Sequence, residues 1–135
     1  MANLPIIALG LVALLLPVAV IAEPLDLSDQ GVYGVEMTPR EYARTLVPDE
    51  HWEDFDTLIN YESGWNPTAQ NPVSTAYGIG QFLDSTWATV GCEKTSDPKT
   101  QIDCTVVYIE KNYGDATEAL RTWRHRLSTD GHGWY

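Results

Sequence analysis

Basic residues are scarce in this chain: 8 Lys and Arg stand against 19 Asp and Glu, a formal net charge of −11 over 135 residues. None of the eight precedes Arg40. That balance excludes the basic footprint with which nucleic-acid binders neutralise phosphates, so no nucleic-acid partner is expected. Histidine is nearly as rare, and His51, His125 and His132 lie far apart without metal-ligand spacing, so no metal site is expected. Runs of β-branched residues with a period of two are almost missing, which argues against a sheet. No segment recurs at a fixed period, which excludes a repeat array.

What is present is globular: 44% of residues are hydrophobic and 10% aromatic, enough for one small core. The acidity is uneven. Glu23 to Val90 holds 12 acidic and 2 basic residues, whereas Gly91 to Tyr135 holds 7 and 6. The run Asp49, Glu50, Glu53, Asp54 and Asp56 is expected to be a solvated helix face.

Leu4 to Ala22 is uncharged over 19 residues. Val20-Ile21-Ala22 before Glu23 suits a cleavage site, so residues 1–22 are expected to be a signal peptide. The same length just spans a bilayer, which leaves an uncleaved N-terminal membrane anchor as the alternative. Either can place the folded part outside the cytoplasm. Cys92 and Cys104 are expected to form a disulfide there, with two buried thiols as the alternative.

Residues 23–37 lack sustained periodicity and read as a linker or extended arm. A mainly α, single small domain is expected over 38–135. Thr38-Pro39-Arg40-Glu41 announces a first helix, with a capping threonine, a proline in the first turn and a glutamate three positions on. A second begins near Pro48 and sets Trp52, Phe55, Leu58 and Ile59 on one face. Two Asn-Pro pairs make residues 66–77 a turn-rich loop. Short helical turns are expected over 79–82 and 84–90. Asp97-Pro98 opens a helix with Ile102, Val106, Ile109 and Tyr113 inward, and Asp115 opens a last one burying Leu120, Trp123 and Leu127.

Glu62 follows Ile59 by three, Leu58 by four and Phe55 by seven positions. That spacing puts its carboxylate on the apolar face, at the C-terminal end of the helix. Loss of water and the negative helix end both favour the protonated acid, the form that donates a proton to a glycosidic oxygen. A glutamate pointing out from a frayed helix end is the plain alternative.

Tyr61-Glu62-Ser63-Gly64-Trp65-Asn66-Pro67 is followed by Ala76-Tyr77-Gly78-Ile79-Gly80-Gln81-Phe82, with Gln81 standing 19 residues after Glu62. The pair resembles the lysozyme-like domain of the soluble lytic transglycosylase family. Asp84-Ser85-Thr86-Trp87 and residues 97–114 resemble its later helices, and Gly133-Trp134-Tyr135 resembles the ending of actinobacterial and phage-borne members. The resemblance implies cleavage of peptidoglycan glycan strands by a monomer without a cofactor, with Glu62 as sole acid/base. It implies a saccharide groove lined by Asn71, Tyr77 and Gln81, against which stand a packed ring for Tyr77 and capping roles for Asn71 and Gln81. An origin in a virion or a conjugation apparatus fits as well as a bacterial one.

One departure matters. Where many members carry Ala-Tyr-Asn, this chain has Thr122-Trp123-Arg124. Trp123 is expected to stack on the sugar, wall off Glu62 or pack in the core. The tyrosine role stays open between Tyr108, Tyr113 and Tyr135. Two rival functions also stay open: a goose-type lysozyme using Asp84, Asp54 or Asp56 as a second carboxylate, and a non-catalytic wall-binding or virion structural protein.

Overall fold

The computed structural model describes residues 36–131. The apolar segment 1–22, all but the last residues of the arm 23–37, and the ending Gly133-Trp134-Tyr135 lie outside them. Among the described residues there are five α-helices and no strand, and no helix is long and apolar enough to cross a membrane.

Helix α1, Pro39–Leu46, begins with a capping box in which the Glu41 amide donates to Thr38 Oγ1 at 3.2 Å and the Thr38 amide to the Glu41 carboxylate at 2.8 Å. Pro48 and a single 3-10 turn, Asp49–His51, lead into α2, Trp52–Glu62. Trp52, Phe55, Leu58 and Ile59 are all buried, so the apolar stripe faces the core as its spacing requires. Helix α3 is Asp84–Val90; α4 is Pro98–Tyr113, capped by Asp97; α5 is Ala116–Asp130, capped by Asp115. Both aspartates accept an amide three residues on, from Thr100 at 2.8 Å and Glu118 at 2.9 Å.

Helix α2 packs along α5 and α1 along α4, with α4 also touching α3 and α5. Their facing side chains make the main core, in which Leu58, Ile59, Ile79, Ile102 and Ala119 are sealed from solvent. Phe82, Trp87 and Cys104 form a second cluster under α3, closed by the Cys92–Cys104 disulfide.

Three expectations need correction. Residues 79–82 are the turn of a tight backbone bridge between Tyr77 and Phe82, not a helical turn. Gln81 takes φ 50 there, outside helical space. Leu127 is exposed, because α5 leaves its neighbours in its last turns. Asp56 is not solvated: Arg40 binds it with two bonds of 2.6 and 2.7 Å, and the Trp65 indole N–H adds a third at 3.0 Å.

Candidate active site

Glu62 is the last residue of α2, and the chain turns sharply behind it through Ser63 and Gly64. The Ser63 hydroxyl donates to the Ile79 carbonyl at 2.8 Å, so the residue beside the glutamate grips the Gly78–Gln81 turn. That bond joins the two motif halves in space. Gln81 tightens the same turn: its side-chain amide donates to the Gly78 carbonyl at 2.9 Å and the Ala69 carbonyl at 3.1 Å.

Gln101 supports the turn from below and was not anticipated from the sequence. Its Oε1 accepts the Ile79 amide at 2.8 Å, while its Nε2 donates to the carbonyls of Thr95 at 2.6 Å and Pro67 at 2.8 Å. Gly78 has φ 79, and a Cβ there would lie 2.6 Å from the Gln101 amide; at Gly80 a Cβ would lie 2.7 Å from Thr105 Oγ1. Two glycines are what let the turn sit this close to α4.

The turn walls a cleft of about 270 Å³, lined by Glu62, Gly80, Gln81, Phe82, Leu83, Thr86, Tyr108 and Arg126. Glu62 Oε1 is buried there without a hydrogen-bond partner among the described residues. Burial pushes its carboxyl up to about 7, opposed by the Trp123 indole N–H, which donates to it. The acid is therefore protonated well above the ordinary carboxylate range.

Tyr108 is the tyrosine of the open set that lines this cleft. Its ring packs on Phe82 at 5.0 Å and Tyr113 at 6.1 Å between centroids. Burial raises its hydroxyl to about 12, helped by Tyr113 and by the nearby Glu62 and opposed by Arg126. Tyr113 stands behind it and Tyr135 lies outside the described residues. Trp123 stacks face to face on Tyr61, with centroids 4.5 Å apart and planes within 9°. It thus flanks the glutamate while half-buried against the core.

Asn71 and Tyr77 are not among the residues lining the cleft. Asn71 Oδ1 accepts the Val73 amide at 2.9 Å, a turn-capping bond. Tyr77 packs against the second cluster, with Lys94 Nζ 5.3 Å from its ring centroid. Asp84 pairs with Lys94 at 2.8 Å, and Asp84, Asp54 and Asp56 all lie outside the cleft lining. Arg126 was overlooked, although its spacing of three from Trp123 on α5 puts the two on one face. Among the described residues no three His, Cys, Asp or Glu side chains gather as a metal site.

No curated protein and no solved structure matches the chain. A family model described as the transglycosylase SLT domain matches residues 49–127, which span α2 through most of α5 and include Glu62, Gln81 and Tyr108. That match supports peptidoglycan cleavage of the lytic transglycosylase type, and with more than half of its residues covered the chain belongs to the transglycosylase SLT domain family.

Proposed function

We propose that the protein cuts the β-1,4 bond between N-acetylmuramic acid and N-acetylglucosamine of peptidoglycan, leaving a 1,6-anhydromuramoyl end, with Glu62 as both acid and base. The observation that carries this reading is the buried Glu62 Oε1, without a partner and raised to about 7, in a cleft with no second carboxylate among its described lining residues. A protonated Glu62 gives its proton to the glycosidic oxygen as the bond from muramoyl C1 breaks. The resulting carboxylate takes the proton of the muramoyl 6-hydroxyl as that oxygen bonds to C1. Glu62 ends protonated, ready for another turnover.

Hydrolysis of the same bond ordinarily uses a second carboxylate, about 5–9.5 Å from the first. The aspartates considered for that task are engaged elsewhere or stand off the cleft. An internal hydroxyl needs no such partner, because ring geometry holds it close. Within this proposal Tyr108 orients the reacting hydroxyl or the acid, and the apolar segment 1–22 delivers the domain to the wall side of the membrane. The Cys92–Cys104 disulfide is consistent with that location.

Digestion of purified peptidoglycan followed by mass spectrometry of the muropeptides tests the reaction. Fragments lighter by one water and refractory to borohydride are expected. Fully reducible fragments would mean hydrolysis, and no fragments from folded protein would favour a wall-binding role.

A further inference from the structure

The proposed reaction uses Glu62 but leaves a cation in the same cleft without a task. Arg126 is the only Lys or Arg among the described residues lining it, and it is half-buried. It follows Trp123 by three positions on α5, so the two share a face about 4.5 Å apart along the axis. Trp123 reaches Glu62, which places Arg126 one turn further along the cleft.

Arg126 is not the counter-ion of the catalytic acid. A guanidinium paired with Glu62 would hold that carboxyl below its usual range, whereas it stands well above it. Four of the other cations are held in ion pairs away from the cleft: Arg40 by Asp56, Arg44 by Asp49, Lys94 by Asp84 and Arg121 by Glu118. The chain as a whole is acidic, so its long-range field repels an anionic polymer. Attraction for substrate carboxylates must be local.

We propose that Arg126 is a specificity-determining residue that binds a carboxylate of the muramoyl unit seated beside Glu62. This rests on the reading that the cleft takes peptidoglycan. The guanidinium presents a planar fork of N–H donors that matches a carboxylate, and neutral N-acetylglucosamine offers no such group. The carboxylate has two sources. It belongs to the peptide stem, or to the lactyl group of muramic acid once the stem has been removed.

Both sources can be separated by binding measurements in the inactive E62Q protein, comparing it with E62Q/R126Q and E62Q/R126K. The ligands are soluble glycan with peptide stems, the same glycan stripped by an amidase, and a neutral N-acetylglucosamine hexamer. Loss of the charge should weaken binding of muramoyl glycan about tenfold, with partial recovery in the lysine protein and no change for the neutral hexamer. A loss confined to stem-bearing glycan assigns the stem; a loss that persists after stripping assigns the lactyl carboxylate. Equal loss on all three ligands, or none on any, overturns the assignment. Turnover keeps the two proposals apart. If the wild type cuts sacculi and R126Q does so with unchanged KM, only the Arg126 role falls. If the wild type cuts nothing, the reaction falls while the binding comparison still decides Arg126.

Discussion

A glutamate whose carboxyl is raised on folding favours the folded state when protonated. Its contribution is complete below the ordinary value near 4.5 and is lost as pH rises through about 7. Glu62→Gln removes that dependence, since the amide has the same shape and no charge. The variant should therefore unfold like the wild type near pH 4.5 and be more stable by about 3 kcal/mol at pH 8 or above, read from denaturant unfolding at both pH values. A constant difference across that range would mean that Glu62 is not buried as a charge. The same substitution should lower peptidoglycan cleavage by about 100- to 10,000-fold, because only the transferable proton is gone. In the wild type, the rate should fall on the alkaline side of a pKa near 7. Tyr108→Phe keeps the ring contacts with Phe82 and Tyr113 and removes one hydroxyl. A loss of turnover without loss of stability in that variant would mark the hydroxyl as part of the chemistry.

Two elements make the cleft possible, the end of α2 and the turn 78–81, and Gln101 of α4 holds the second in place. Removing its amide leaves the Ile79 amide and two carbonyls without their partner in a buried setting. Gln101→Leu should cost about 2–4 kcal/mol in urea unfolding and reduce turnover together with stability. Gly78→Ala should act in the same direction, because its methyl meets the Gln101 amide and its φ of 79 disfavours any side chain. A Gly78→Ala protein with unaltered stability and activity would show that the turn can give way. Ser63 links the two elements through the Ile79 carbonyl, which gives a mechanical reason for a serine directly after Glu62.

Over the whole domain, the cleft is bounded by residues from separate helices, Thr86 on α3 and Tyr108 on α4. Helix α3 has only seven residues, and its hold on α4 runs through Phe82, Trp87 and the Cys92–Cys104 disulfide. Closing 12 residues of chain restrains the unfolded state by about 3 kcal/mol. Reduction should lower Tm by several degrees and weaken cleavage as α3 loosens. Protein recovered from the periplasm should bind no thiol reagent under denaturing conditions until a reductant is added. Quantitative labelling without reductant would mean that the bond does not form.

The sequence by itself determined the helices and the buried placement of Glu62. Helix starts at Thr38, Asp97 and Asp115 were legible because a cap is a local device, set by a side chain and an amide three residues apart. Glu62 was legible because helical periodicity carries a side chain onto the buried face whatever packs against it. Tertiary structure decided the rest, because those contacts join residues far apart along the chain. Gln101 meets the turn 22 residues before it, and Asp56 escapes the solvated face only because Arg40 reaches it from α1. Tyr108, rather than Tyr113, enters the cleft, and Arg126 shares it, because α2, α4 and α5 converge on one point. No window of sequence contains that convergence, since it follows from how the apolar faces of separate helices cover one another.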